Sequence, residues 1–312
     1  MSYFTPGLSE IFNRFDDLRQ APTGDGKRMP HKPLLILLML GRAQRGDFGP
    51  TPFSIIRVEL EELLSRFGPP SPPNARDPFW RLQNDTGKVW IVRDSRGSRV
   101  AESIDPPTIT QLEDAKAEGS FAPDLCDAFR NHPVYTAKLG ARILANNFPP
   151  SLHDDIAAAV GLSLGGEKIP DADEQESTGR DPGFRSRILT AHEYRCAITG
   201  WDLRIGDVSA GIEAAHIRWH VAGGPSEERN GIALNALHHK LFDLGAFTLS
   251  DDDDIPRIHV SRKAHGGEAV ADFLMRFHMK AIRPPQDSGW LPDREFIRWH
   301  RREVFKGPHR TG

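Results

Sequence analysis

Cysteine is almost absent from this chain, and its scarcity closes several routes at once. Only Cys126 and Cys196 occur among 312 residues. They fall in different expected domains, which argues against a structural disulfide. A four-cysteine zinc knuckle is excluded too, because Thr199 stands where a Cys-x-x-Cys pair begun by Cys196 needs its second sulfur, and no later cysteine exists. Cys196 is therefore expected in a core, and no structural zinc is expected. Long apolar runs are missing as well. The run from Pro33 to Leu40 falls far short of the roughly 20 residues of a membrane span, and nothing at Met1 to Pro6 resembles a secretory leader. No membrane role is expected, and the cytoplasm is the expected compartment. Finally, there is no excess of positive charge. The formal net charge is −3, which taken alone argues against a nucleic-acid partner.

The distribution of charge weakens that last objection. Glu167, Asp171, Asp173, Glu174 and Glu176 sit among glycine, proline and serine with few apolar residues, the composition of a solvated linker. Setting that run aside leaves both flanks near neutral. It also divides the chain into a first domain at 1–164, an acidic linker at 165–180 and a second domain at 181–312. With 38% apolar residues there is material for two packed cores, and no internal repeat is present. Basic residues gather at Arg76, Arg81, Lys88, Arg93, Arg96 and Arg99, and again at Arg294, Arg298, Arg301, Arg302 and Lys306. Each group could neutralise several phosphates; as scattered solvated side chains they would need no partner.

Spacing gives a coarse fold. In the first domain the run from Ser9 to Leu18 has helical periodicity with Ser9 as its cap, and Pro33 suits the first turn of a buried helix. Ser54 can cap a third helix through Leu64. Residues 78–83 and 89–92 around the Asp85-Thr86-Gly87 turn read as a β-hairpin, and helices resume at Ile109 and over 134–146. In the second domain a helix is expected from Phe184, short strands at 214–217 and 247–249, a solvated turn at 251–254, and an amphipathic terminal helix after Asp293 that brings Phe296, Trp299 and Val304 together. The class is α+β, with a mostly helical first domain carrying a small sheet.

The densest chemistry lies between Glu213 and Asp243. Asn230 follows His216 by 14 residues and precedes His239 by 9, an order that suggests strand, loop, helix, with the Asn230-Gly231 turn leading into a helix at Ala236. His239 and Asp243, at i and i+4, share a helical face and can offer a nitrogen and an oxygen to one divalent cation. A histidine titrates near neutral pH, so His216 can take a proton from an attacking water. Asn230 is neither acid nor base; its amide can hold the loop or orient the His216 ring. His238 points about 100° away from His239 around the helix and is expected to pack or to touch phosphate.

Glu213-Ala214-Ala215-His216-Ile217, Asn230-Gly231 and the run from His238 through Asp243 to Thr248 resemble the HNH endonucleases. That resemblance implies a ββα-metal fold, with His216, Asn230 and His239 as the three named positions, Asp243 as a second helix ligand, and Mg2+ or Mn2+ as the ion. Many members carry Asp or His immediately before the base, where this chain has Ala215. Either the ion is held by His239, Asp243 and water, or Glu213 reaches it.

Residues 29–38, from Met29 through His31, Lys32 and Pro33, together with Asp77-Pro78-Phe79-Trp80-Arg81 and Val89-Trp90, resemble the sulfur-binding domain of phosphorothioate-dependent McrA-type restriction enzymes. The resemblance implies a double-stranded DNA partner carrying phosphorothioate linkages. It sets His31 and Lys32 beside the modified linkage and makes Pro78, with Asp77 and Arg81, a pocket wall; members often carry an aromatic residue where Asp77 stands. Arg93, Arg96 and Arg99 follow as candidates for groove or phosphate contacts. The function expected is a type IV-like restriction endonuclease that reads this mark and hydrolyses phosphodiesters nearby, cutting two strands as a homodimer. Two alternatives stay open: an HNH enzyme reading a modified cytosine through an aromatic cage, and a non-cleaving DNA-binding protein with a degenerate nuclease domain.

Overall fold

The computed structural model describes residues 6–16, 30–98, 100, 106–165, 181 and 183–311. Their contacts form two compact units. The first takes described residues up to 147 and then 153–165; the second takes 148–152 and 181–311. Nearly all of the expected linker, and Arg99, lie outside the described residues. Among the described residues no helix is long and apolar enough to cross a membrane.

The first unit opens with α1 (Leu8–Asp16), in which Ser9 sits inside the first turn and is not the cap. Arg14 ties α1 down by donating to the carbonyls of Gly87 at 2.8 Å and Lys88 at 2.9 Å. Next comes α2 (His31–Gln44), where every residue from Pro33 to Gly41 is buried. A helix apolar on all sides belongs in the middle of a core, and Pro33 in its first turn sacrifices no hydrogen bond. The two-residue β1 (Thr51–Pro52) runs directly into α3 (Phe53–Phe67), which starts one residue ahead of Ser54; Pro52 occupies the cap position and no side chain caps it.

The expected hairpin is half wrong. Residues Arg76–Arg81 form α4, continued by a 3-10 turn at Leu82–Asn84, and not a strand. The backbone N–H of Asp77, in its first turn, bonds the Asn74 side chain at 3.2 Å. Pro78, Phe79 and Trp80 are all buried in succession, whereas a half-buried strand would alternate. The second arm survives as β2 (Trp90–Arg93). After α5 (Ile109–Asp114), whose Thr108 and Gln111 form a reciprocal capping box, β3 (Glu118–Phe121) pairs antiparallel with both β1 and β2. The unit closes with α6 (Pro123–Asn131), α7 (Val134–Asn147) and α8 (His153–Val160). Phe79, Trp90 and Phe121 meet edge to face at about 6 Å, and Trp90 donates its indole N–H to the Phe79 carbonyl at 2.9 Å. These aromatics pack against one another as core.

The second unit begins at α9 (Phe184–Ala191) and a small hairpin, β4 (Arg204–Ile205) with β5 (Val208–Ser209). Then β6 (Ile212–His216) pairs antiparallel with β7 (Gly231–Asn235), His216 opposite Gly231, and β7 feeds α10 (Ala236–Asp243). Asn235 ends the strand and caps the helix, its side chain accepting the His238 N–H. This is the ββα arrangement, but β7 was not foreseen. All five of its residues are buried, so the alternation that marks a half-buried strand is missing. Beyond α10 lie β8 (Phe247–Leu249), β9 (Ile258–Val260), α11 (Glu268–Phe273) and α12 (Arg294–Glu303). Cys196 joins the core beside Ile232, Phe242 and Phe247. Nor is the 251–254 turn merely solvated: Asp251 accepts from Arg298 and Arg301 of α12, and Asp253 from Ser250 and Arg257.

At the end of α9, His192 is only 6% exposed. Burial holds its ring neutral, pushing its pKa down to about 4. An unfolded histidine near 6.5 then takes up a proton before the folded one does, so stability is complete above that pH and drains away as pH falls toward 4. The slope of denaturant-measured stability in that window should approach about 1.4 kcal/mol per pH unit from this group, and His192→Gln should flatten it. Parallel curves for the two proteins would refute the assignment.

Candidate functional site

Within the ββα arrangement, β6 supplies Glu213 and α10 supplies His239 and Asp243. The three lie in a row: Glu213 Oε2 is hydrogen-bonded to His239 Nδ1 at 2.8 Å, and Asp243 Oδ2 faces His239 Nε2 at 3.3 Å. The two carboxylates differ in kind. Glu213's side chain is 47% exposed and Asp243's 1%. The hydrogen bond from His239 holds the Glu213 carboxyl below its usual pKa, against the opposing effect of burial. Asp243 is held by two further donors, Trp219 Nε1 on Oδ1 at 2.8 Å and Ser151 Oγ on Oδ2.

The donor set suits a hard divalent cation. Among the described residues no group of three or more His, Cys, Asp or Glu could hold a metal ion. Glu213 and His239 instead offer one oxygen and one nitrogen on a half-open face, and ions of the Mg2+ type keep waters and take phosphate oxygens as their remaining ligands.

His216 ends β6 and is 7% exposed. Its ring stacks on Phe184 at 3.8 Å between centroids with 14° between planes, and its Nε2 lies 3.3 Å from Ser226 Oγ. One face of the imidazole is thereby fixed by α9. Ala215, the departure from the HNH pattern, is fully buried.

Asn230 is fully buried and engaged with the loop between the strands. Its Oδ1 accepts from the Arg218 N–H at 2.8 Å, and its Nδ2 donates to the carbonyls of Arg218 at 3.0 Å and Pro225 at 2.8 Å. The loop folds so tightly there that a Cβ on Gly224 would stand 1.9 Å from the Arg218 carbonyl oxygen. His238 is core: it stacks on Phe273 at 4.2 Å and its Nε2 faces the Phe273 carbonyl at 3.1 Å.

The sulfur-site candidates separate into two sets in the first unit. His31 and Lys32 open α2, and Lys32 Nζ lies 2.6 Å and 2.7 Å from the two oxygens of buried Asp85, a partner the sequence reading missed. Pro78 is buried in the first turn of α4, while Asp77 is tied to Asn74 and Arg76. Arg81, Arg93 and Arg96 are exposed, although Arg93 also donates to the Gly97 carbonyl at 2.7 Å.

In the second unit, Phe184, Ser226, Trp219 and Ser151 were likewise missed. Trp219 carried a usable signal, since a buried indole N–H near a motif needs an acceptor. Ser151, 92 residues ahead of Asp243, carried no local signal.

Comparison with known proteins divides the chain in the same order as the two units, except at residues 148–152. The ScoMcrA-like, DNA sulfur-binding domain profile matches residues 8–164, and an HNH endonuclease profile matches residues 196–250. Among solved structures, the sulfur-binding domain of ScoMcrA complexed with phosphorothioated DNA is 24% identical over 49% of this chain and 95% of its own, with a TM-score of 0.38. The sulfur-binding and SRA domains of ScoMcrA in complex with phosphorothioated DNA are 23% identical over 52% of this chain and 49% of their own, at 0.40. The type IV phosphorothioation-dependent restriction endonuclease ScoMcrA is 23% identical over 49% of this chain and 27% of its own, at 0.36. No curated protein matches. Because the first profile spans half of the residues, the chain belongs to the ScoMcrA-like DNA sulfur-binding domain family, and it carries an HNH endonuclease domain after that domain.

Proposed function

We propose that this protein is a restriction endonuclease that binds phosphorothioate-modified duplex DNA with its first unit and hydrolyses phosphodiester bonds with its second. The observation that carries the reading is the presence, in one chain, of the sulfur-binding domain and of an HNH domain whose β6 and α10 bring Glu213 to His239. Sulfur in a non-bridging position is larger, softer and a poorer hydrogen-bond acceptor than oxygen, so a selective pocket should be apolar with a cation close by. An ordinary phosphate entering it would lose water without regaining its hydrogen bonds. Pro78 with Asp77 and the start of α2 at His31 are assigned to that pocket. Arg81, Arg93, Arg96 and Arg99 are assigned to the neighbouring backbone. Lys32, bound to Asp85, contributes by placing α2.

At the nuclease site Glu213 and His239 would hold a divalent ion, Mg2+ or Mn2+, which when bound neutralises charge on the scissile phosphate and its leaving oxygen. His216 takes the proton from the attacking water, with its ring held by Phe184. Asn230 keeps the 218–225 loop in place, and Asp243 orients His239 from behind. Cutting both strands needs two such sites, which a homodimer would supply.

A competition between a duplex bearing one phosphorothioate of natural stereochemistry and its unmodified twin tests the reading. We expect at least about tenfold tighter binding to the modified duplex, roughly 1.4 kcal/mol, and Mn2+-dependent cleavage of it. Equal binding would sink the sulfur reading, and absence of cleavage the nuclease reading.

A further inference from the structure

Asp243 is deeply buried, yet two groups from distant parts of the sequence donate to it besides its neighbour on α10. One of them lies outside the 196–250 stretch that the HNH profile covers: Ser151, within the residues matched by the sulfur-binding profile. By its contacts the segment Phe148–Leu152 belongs to the second unit, although in sequence it falls between α7 and α8. Resting on the HNH reading above, we propose that Ser151 is a positioning residue of the nuclease site: its hydroxyl fixes Asp243, and Asp243 in turn fixes the ring of His239 toward Glu213.

The segment is built to present that hydroxyl. Phe148 is fully buried, Pro149 and Leu152 are buried, and the pair Pro149-Pro150 restricts the backbone before a single 3-10 turn at Pro150–Leu152. Ser151 is thus held by its flanks, so its Oγ–H needs little ordering when it donates to Asp243 Oδ2. That same oxygen faces His239 Nε2 at 3.3 Å, and Trp219 Nε1 stops the carboxylate from turning by donating to Oδ1 at 2.8 Å. A carboxylate so fixed favours the imidazole form with its proton on Nε2. Nδ1, which donates to Glu213 Oε2 2.8 Å away while no cation is bound, is then the nitrogen that would give up its proton for the pair to share a cation. A carboxylate behind a ligating histidine commonly changes metal affinity about 10- to 100-fold when it is removed. Ser151 acts one bond further back and should have the smaller share.

The test titrates Mn2+ into the full chain without DNA by calorimetry, and follows phosphorothioate-duplex binding separately. Ser151→Ala should weaken Mn2+ binding several-fold to about tenfold, Ser151→Thr, which keeps the hydroxyl, should restore it, and duplex affinity should be unchanged in both. Trp219→Phe keeps the ring but deletes the donor to Oδ1, and should also weaken Mn2+ binding; it gives an independent reading if Ser151→Ala fails to fold. His239→Ala separates the two layers of the argument. Wild-type Mn2+ binding that is lost in His239→Ala yet indifferent to Ser151→Ala and Trp219→Phe overturns the positioning role alone. Mn2+ binding that survives His239→Ala, or is absent from the wild type, overturns the HNH metal reading and the proposal with it.

Discussion

Replacing His216 with alanine is expected to leave phosphorothioate-duplex binding intact and to lower single-turnover cleavage by about 10²- to 10⁴-fold, the usual contribution of a positioned general base. The geometry explains why the loss should appear in the chemical step. Phe184 covers one face of the ring and Ser226 Oγ meets its Nε2, so the imidazole enters the reaction already oriented. Alanine also removes the stack on Phe184, at a cost of roughly 1 kcal/mol in stability, so melting curves must accompany the rates. Cleavage near the wild-type rate by a folded His216→Ala protein would end the base assignment. Loss of DNA binding along with cleavage would point to a structural role instead.

How much of this was legible in the sequence follows from the range of each interaction. The i, i+4 pair on α10 was readable because helical periodicity alone joins His239 to Asp243. The meaning of the pair was not readable. Whether Asp243 faces a cation or backs the histidine depends on Trp219 and Ser151, and no local pattern announces that a residue far upstream donates to it. Glu213, left as an alternative because of Ala215, does reach His239, since β6 runs alongside α10's own strand β7. β7 escaped notice because a strand buried on both faces shows no alternation. The error at α4 has the opposite cause: Phe79 and Trp80 suggested β-propensity, but tertiary burial decided for helix. In the first unit, the pairing of Lys32 with Asp85 spans 53 residues and could not be read from either position.

Asn230 carries the second large prediction, because two substitutions that differ by a few atoms should rank in an order that only its hydrogen bonds explain. In the native loop the amide receives one N–H and gives two of its own to carbonyl oxygens. Asn230→Ala leaves the Arg218 N–H and both carbonyls without these partners in a fully buried place, a loss of about 2–4 kcal/mol. Asn230→Asp should be worse, although it preserves shape. Its second oxygen would face the Arg218 and Pro225 carbonyls, acceptor against acceptor at 3.0 Å and 2.8 Å, with a buried negative charge added to the loss of two hydrogen bonds. Denaturant unfolding of the full chain at neutral pH should therefore give wild type above Ala above Asp. The Asp variant should recover part of the gap as pH falls through the carboxylate range, because a protonated carboxyl can again donate once. Cleavage should fall in both variants, since Ser226 at His216 and Trp219 at Asp243 lie in or beside the displaced loop. A residual rate that keeps the wild-type pH profile marks Asn230 as scaffold. A changed profile with unchanged stability would instead place its amide in the chemistry.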